Sequence, residues 1–146
     1  MSPTGTTSVP LGHRFESPDF DKATVLDAMR LGVISCTPDA SLRELARALA
    51  TYRIHSVVIT NGEGDQPWAV VTDVDLAAAS GKNFDELTAR DIWHTQLVTV
   101  EPEEPLSRAV RLMTERGVTH LVVVHPENGR PVGVLSTLDV VGVLAW

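Results

Sequence analysis

The sequence predicts an α/β (α+β) fold, in which two repeats are related by a pseudo-twofold axis and pack their sheets face to face. Three observations lead to this prediction. The two halves resemble each other at a fixed offset, since Pro38 and Asp75 recur 64 positions later as Pro102 and Asp139. Each half shows the order strand, helix, strand, strand, helix. The chain of 146 residues, 43% of them hydrophobic, suits one compact unit, and one repeat alone would leave a sheet face bare.

Changes in composition and the repeat itself divide the chain into three segments. Residues 1–22 are rich in Ser, Thr, Pro and Gly and show no apolar period. Burial would not offset the entropy of ordering them, so we expect a disordered or loosely packed tail. Residues 23–82 form the first repeat and residues 83–146 the second, and the two together make one structural module.

A strand and an amphipathic helix open each repeat. The strands are expected at residues 33–36 and 97–100. In the helices, apolar residues follow the spacing i, i+3, i+4, i+7, which places them on one face. Proline and acidic residues favour the first turns, and Arg53 and Gly117 end the helices. The apolar residues are Leu42, Leu45, Ala46 and Leu49 in the first helix and Leu106, Ala109, Val110 and Met113 in the second.

A hairpin and a final helix complete each repeat. The first strand of each hairpin is a short apolar run rich in β-branched side chains, as expected of a strand buried on both faces. Turn-forming residues follow it, and then a partner strand. The final helices follow Thr72 and Ser136. The strands are expected at residues 57–59, 68–71, 121–124 and 131–135, with turns at 61–65 and 126–129.

Composition argues against several classes of function. Twelve Lys and Arg against 19 Asp and Glu give a net charge of −7, and no stretch collects basic residues, so nucleic acid is not an expected partner. No run is long and apolar enough to span a bilayer, so we expect no membrane partner. Cys36 is the single cysteine, and we expect it to be a buried structural thiol in a cytoplasmic protein. No catalytic or metal-binding motif is present, so we expect no enzyme.

The ends of the last strands resemble the tandem CBS (cystathionine β-synthase) domain pair, or Bateman module. VVTDVD ends at Asp75 and VLSTLD at Asp139, so a Ser/Thr-x-x-Asp signature stands at the same place in both repeats. The resemblance extends over roughly residues 24–145. The sequence departs from the family pattern at Ala69. The second repeat keeps the usual glycine there, Gly133, whose missing side chain would let a ligand approach closely.

The resemblance implies a site for an adenosine nucleotide between the repeats. Asp75 and Asp139 would accept hydrogen bonds from ribose hydroxyls, while Thr72 and Ser136 would lie near phosphate at the start of a helix. His120 precedes a strand where family members often present a basic side chain to phosphate, and an ordinary histidine at a strand edge is the alternative. The opening strand of the other repeat would form the adenine slot, with Val33, Ile34 and Ser35 opposite Asp139, and Leu97, Val98 and Thr99 opposite Asp75.

The Ser/Thr-x-x-Asp motif has a second interpretation. It is also the spacing of a helix N-cap, in which hydroxyl and carboxylate satisfy free backbone N–H groups. The motif therefore leaves both a ligand site and a structural cap open. Two functions remain open with it. The chain is either a regulatory module that binds a nucleotide and signals in trans, or a degenerate pair that acts as a dimerisation or protein-interaction module without ligand.

The resemblance implies a regulatory ligand rather than a required cofactor, and AMP, ADP, ATP, S-adenosylmethionine and NAD all fit the family pattern. Because the chain is acidic, we favour a monophosphate or an adenosyl ligand over one with three phosphates. We also expect an unidentified protein partner and a homodimer, since CBS pairs commonly form a flat disc through apolar sides of their helices. The candidates to face the second copy are Val74, Leu76, Val140, Val141 and Leu144.

Overall fold

A computed structural model of the chain describes residues 19–61 and 66–145. Residues 1–18 of the predicted tail, residues 62–65 of the first predicted turn, and Trp146 lie outside the described residues. Two 3₁₀ turns are present, Phe20–Lys22 and Ala89–Asp91. The helices are α1 (Val25–Ala28), α2 (Leu42–Tyr52), α3 (Asp73–Ala78), α4 (Leu106–Arg116) and α5 (Thr137–Leu144). The strands are β1 (Arg30–Leu31), β2 (Ser35–Cys36), β3 (Ser56–Thr60), β4 (Pro67–Thr72), β5 (Thr99–Val100), β6 (His120–Val124) and β7 (Pro131–Ser136).

The strands form two sheets, one centred on each repeat. The first has the order β2-β3-β4 and the second the order β1-β7-β6-β5. The short opening strand of each repeat is parallel to its neighbour, because a helix, α2 or α4, connects the two. The hairpin strands are antiparallel. The predicted fold class and order of elements are confirmed.

The opening strands are shorter than predicted. Only Ser35–Cys36 and Thr99–Val100 pair with the following strand of their repeat. Val33 and Leu97, expected within these strands, instead pack against a cluster between the two sheets. A two-residue strand makes few backbone hydrogen bonds, so its position depends on contacts with the rest of the molecule.

The amphipathic helices α2 and α4 begin and end near the predicted residues. Ser41 caps α2, since its hydroxyl accepts a hydrogen bond of 3.1 Å from the Glu44 N–H. Arg53 and Gly117 end the helices in the left-handed conformation, with φ of 53° and 65°. Among the described residues, no helix is long and apolar enough to cross a membrane. The buried residues of the two helices are Leu42, Leu45, Leu49, Leu106, Ala109 and Met113.

The segment at the start of each repeat packs against the other repeat. We call residues 20–31 and 84–95 the leading segments. Val25 and Met29, from the first leading segment, are part of the core that includes residues of α4. Ala89 is part of the core that includes residues of α2, and Trp93 packs against that same core. Each hydrophobic core therefore contains residues from both halves of the sequence.

The leading segments extend the similarity between the repeats to residues before the predicted start at residue 23. Phe20 and Phe84 are 64 positions apart, and each packs against the core of the other repeat. Thr24 and Thr88 likewise each form a bridge to the other repeat, just before its helix α4 or α2. Residues 20–22, expected in the tail, form a 3₁₀ turn and are therefore structured.

Gly133 accommodates a strand rather than a ligand. It pairs with Leu31 of β1, and a Cβ atom at Gly133 would lie 2.3 Å from the carbonyl oxygen of Arg30 and 3.1 Å from Cε of Met29. The predicted role of Gly133 is therefore wrong, because the protein's own backbone occupies the space above it. The glycine is needed for β1 to reach β7.

Among the described residues, the first sheet has no strand equivalent to β1. Ala69 takes the place of the glycine and is fully buried. The second leading segment makes only an isolated bridge here, between His94 and Val70. The repeats therefore share a plan but differ at the sheet edge where the leading segment arrives.

The two sheets pack face to face as predicted. Val58, Val70 and Val122 form a buried cluster between them. Their neighbours Val57 and Val123 point into the two separate cores. Alternate side chains of a strand point to opposite faces, so β3 and β6 are buried on both sides, which explains their continuous apolar sequence.

The predicted dimer surface is only partly exposed. Leu76 and Val140 are each 6% exposed and belong to the two cores, so their assignment to a partner surface is wrong. They lie on the faces of α3 and α5 that point into the molecule. Val74, Val141 and Leu144 are exposed by 71%, 54% and 59%.

Cys36 is half-buried and packs against the first core. Burial raises the pKa of its thiol, and the nearby Glu44 carboxylate adds to the effect. A thiol with a raised pKa holds less of the reactive thiolate, which agrees with the structural role expected for it.

Candidate functional site

Two cavities lie between the repeats at the ends of β4 and β7. We call them the Asp139 cavity, of about 430 Å³, and the Asp75 cavity, of about 410 Å³. Both volumes suit a small-molecule ligand. The Asp139 cavity is lined by Arg30, Leu31, Gly32, Val33, Ile34, Tyr52, Ile54, His55, Ser56, His120, Val134, Ser136, Leu138 and Asp139. The Asp75 cavity is lined by Val70, Thr72, Asp73, Val74, Asp75, His94, Gln96, Leu97, Val98, Arg116, Gly117, Val118, Thr119 and His120.

The two cavities are built from equivalent residues. Nearly every residue of one has a counterpart 64 positions away in the other, but the chemistry of some pairs differs. Arg30 of the Asp139 cavity corresponds to His94 of the Asp75 cavity, and Tyr52 corresponds to Arg116. The cavities are therefore lined from equivalent positions but carry different charged side chains.

Most residues proposed from the sequence lie at these cavities, and three do not. Ser35 and Thr99 pair with β3 and β6, and their side chains are exposed outside the cavities. Gly133 is covered by β1. The residues at the Asp139 cavity are Val33, Ile34, His120, Ser136 and Asp139, and those at the Asp75 cavity are Leu97, Val98, Thr72, Asp75 and again His120.

Both Ser/Thr-x-x-Asp motifs form helix caps. The Thr72 N–H donates to Asp75 Oδ2 over 2.8 Å, and the Asp75 N–H donates to Thr72 Oγ1 over 3.2 Å. Ser136 and Asp139 form the same two bonds at 2.8 and 3.2 Å. Each cap uses one carboxylate oxygen, Oδ2, so the cap leaves the other oxygen available for a second partner.

The remaining carboxylate oxygens have different surroundings. Oδ1 of Asp75 accepts a hydrogen bond of 2.7 Å from Nε2 of His94. Within the described part of the chain, Oδ1 of Asp139 has no hydrogen-bond partner, although Asp139 lines its cavity. The Asp139 cavity therefore presents a free acceptor where the Asp75 cavity presents an occupied one.

A polar cluster lies between the two cavities. Nδ1 of His55 donates to Oδ2 of Asp73 over 2.8 Å, and this hydrogen bond lowers the pKa of Asp73. His120 lines both cavities and its Nδ1 lies 2.9 Å from Oγ1 of Thr119. Burial lowers the pKa of His120, because the charged imidazolium loses hydration there.

The cavities differ in their balance of charge. The Asp139 cavity has one carboxylate, with Arg30, His55 and His120 as basic groups. The Asp75 cavity has the same number of basic groups, Arg116, His94 and His120, but a second carboxylate, Asp73, beside Asp75. A phosphate group is therefore better matched by the Asp139 cavity.

Among the cavity residues that sequence reasoning missed are Arg30, Tyr52 and His94. The 64-residue offset links Arg30 to His94, but neither lies in a motif. Their proximity to the carboxylates follows from the crossing of the leading segments. Among the described residues, no group of His, Cys, Asp and Glu is arranged to hold a metal ion.

Comparison with known proteins gives the family. The family profile described as CBS domain matches residues 25–82 and 89–145. An uncharacterised protein of Methanopyrus kandleri is 35% identical over 123 residues, which are 82% of this chain and 62% of that protein. A mitochondrial CBS domain-containing protein of Arabidopsis thaliana is 25% identical over 141 residues, covering 88% of this chain and 68% of that protein. The chain thus spans roughly two thirds of the length of these relatives.

Solved structures share the fold. A CBS domain protein of Pyrobaculum aerophilum complexed with AMP superposes with a TM-score of 0.72 at 30% identity, covering 80% of this chain and 89% of that one. A CBS domain pair in complex with 5′-methylthioadenosine and S-adenosyl-L-methionine superposes with a TM-score of 0.75 at 21% identity, covering 84% and 96%. The profile matches, together with the two interlocked repeats, show that the chain belongs to the CBS domain family and carries a tandem pair of these domains.

Proposed function

We propose that the chain is a regulatory module that binds an adenosine-containing nucleotide in the Asp139 cavity and signals to a protein partner in trans. The observation that carries the proposal is the carboxylate of Asp139. Its Oδ2 caps α5, Oδ1 has no partner among the described residues, and Asp139 lines a cavity of about 430 Å³. The cap and ligand interpretations of the motif are therefore compatible, because they use different oxygens.

A ribose fits this arrangement. Two neighbouring hydroxyls can donate to a carboxylate, and the cap holds the side chain of Asp139 in place before ligand arrives, which reduces the entropy lost on binding. The same cavity is lined by the apolar side chains of Val33, Ile34 and Ile54 and by Tyr52, which suit a base.

The basic residues of the cavity support a ligand with a phosphate. Arg30, His55 and His120 come from three separate elements and line the same space as Ser136. With one permanent cation and two histidines, the cavity matches a monophosphate better than a triphosphate. A relative that is 30% identical to this chain was crystallised with AMP, which supports AMP as the first ligand to test.

Asp139→Asn tests the proposal, because asparagine keeps the cap and loses the acceptor. The amide oxygen of asparagine can accept the bond from the Ser136 N–H, and its NH₂ group then faces the cavity. We expect the affinity for AMP, measured by titration calorimetry, to fall about tenfold or more. The free energy of unfolding should change by only a few tenths of a kcal/mol to about 1 kcal/mol.

A matched control is available at Asp91, whose Oδ2 accepts the Thr88 N–H over 2.8 Å in the same kind of capping box. Asp91 lines neither cavity. Asp91→Asn should therefore change stability by a similar amount and leave AMP affinity unchanged. Adenosine, ADP, ATP, S-adenosylmethionine and NAD complete the panel. If Asp139→Asn binds every ligand of the panel as wild type does, the site assignment is wrong.

Exposed apolar residues support a second function, self-association. Leu138, Val141 and Leu144 on α5 are exposed by 67%, 54% and 59%. A homodimer would cover such side chains. This second proposal requires no ligand, so a chain that dimerises and binds none of the panel would be a degenerate CBS pair.

A further inference from the structure

We propose that His94 makes the two cavities unequal by occupying the acceptor that the second nucleotide site needs. The inference rests on the proposed function, because it assumes that a carboxylate at this position binds ribose. It predicts that the wild-type chain binds one adenosine ligand, in the Asp139 cavity, at concentrations that saturate that cavity.

Both carboxylate oxygens of Asp75 are used inside the protein. Oδ2 accepts the Thr72 N–H over 2.8 Å, and Oδ1 accepts Nε2 of His94 over 2.7 Å. The side chain of Asp75 is 15% exposed. A ribose can reach Oδ1 only if the imidazole leaves.

The backbone keeps His94 near Asp75. Its N–H donates to the Val70 carbonyl over 3.1 Å, and its carbonyl accepts the Val70 N–H over 3.3 Å. The preceding residue, Trp93, packs against the first core. The ring itself is 63% exposed, so it can rotate away, but only by breaking its bond to the carboxylate.

The Asp139 cavity lacks this obstruction. Arg30 stands at the equivalent position, 64 residues earlier, and among the described residues it makes no ion pair with Asp139. Pairing of β1 with β7 fixes the Arg30 backbone. Asp73 adds to the difference, because it places a second negative charge in the Asp75 cavity, where a phosphate would have to enter.

His94→Ala should therefore open the second site. In the wild-type chain, a ligand has to displace the imidazole from the Asp75 carboxylate, which reduces its affinity by about tenfold. Removal of the ring should therefore raise the affinity by a similar factor. We expect the calorimetric stoichiometry for AMP and for adenosine to rise from one per chain to two. In an Asp139→Asn background, His94→Ala should raise the remaining affinity about tenfold. The Asp75→Asn change should then abolish the gain.

His125→Ala is the control, since His125 lies outside both cavities, and it should leave stoichiometry and affinity unchanged. Two ligands per wild-type chain, or weaker binding after His94→Ala in the Asp139→Asn background, would overturn the inference. Binding by His94→Ala but not by wild type would support it and reject the Asp139 site. If no ligand of the panel binds either wild type or His94→Ala, both proposals are wrong.

Discussion

His120 is the residue that the two cavities share. It is half-buried, it lines both cavities, and it lies close enough to His55 and Asp73 for their charges to act on it. A change in the protonation of His120 would therefore change the charge at both cavities.

The lowered pKa of His120 predicts that acid destabilises the fold. Below the unfolded-state pKa of 6.5, the unfolded chain takes up a proton at this residue more readily than the folded chain does. The stabilisation is therefore fully present above pH 6.5 and is lost as the pH falls towards the lower, folded-state pKa. We expect the Tm to fall between pH 7.5 and 5.5, and to fall less in His120→Gln.

Comparison of His120→Gln with a second histidine variant isolates the contribution of His120. His125→Gln should keep the wild-type dependence of Tm on pH. Asp73 does not interfere, because its lowered pKa places its titration below 3.8. Equal slopes of Tm against pH in wild type and His120→Gln would contradict the prediction.

At the scale of residues, the sequence located the carboxylates but not their partners. Asp75 and Asp139 could be found because each stands in a motif that is also a helix cap, and local hydrogen bonds fix its geometry. His94 and Arg30 could not be placed beside them, because these two arrive through long-range packing of the leading segments. Part of the difference between the cavities comes from those two residues.

At the scale of elements, β1 depends on the absence of a side chain at Gly133. In Gly133→Ala, the new Cβ would lie 2.3 Å from the Arg30 carbonyl oxygen, which is backbone and cannot rotate away. We expect β1 to shift and the free energy of unfolding to fall by about 1–3 kcal/mol, measured by urea denaturation.

Gly142 provides the opposite case within the same repeat. It lies inside α5, and a Cβ atom there would meet nothing within 4 Å. Gly142→Ala should raise the free energy of unfolding by about 0.5–1 kcal/mol, because alanine favours the helix. If Gly133→Ala proves as well tolerated as Gly142→Ala, the close contact of β1 and β7 is not a constraint on the fold.

The sequence predicted the elements whose formation depends on their own residues. The apolar faces of α2 and α4 and the continuous apolar runs of β3 and β6 can be recognised in the sequence, because they consist of the residues that are buried. By contrast, α1 has four residues and β1 has two, too few for a periodic pattern. These elements form because they pack on the other repeat, which a local pattern does not reveal.

At the scale of the whole molecule, we predict a homodimer that uses the exposed side of α5. Val141 and Leu144 are 54% and 59% exposed and lie outside both cavities. We expect a dimer by light scattering at about 100 μM, a concentration at which an interface of standard size is stable. Changing both residues to glutamate should give a monomer.

The double change Val141→Glu and Leu144→Glu should leave the Tm of the monomer unit close to that of wild type, because both side chains are already exposed. Thr114→Glu together with Glu115→Gln, on the exposed part of α4, is a surface control that should stay dimeric. A wild-type chain that is monomeric at 100 μM would contradict the prediction.

The crossing of the leading segments also sets the order in which the protein can fold as it leaves the ribosome. Arg30 pairs with Val134, a partner that is synthesised 104 residues later. The core that contains Val25 and Met29 likewise cannot form until Leu121 and Leu135 have been synthesised. The nascent chain therefore carries uncovered apolar side chains in its first leading segment until residues 121–135 have been synthesised, and contacts between such distant residues also slow folding.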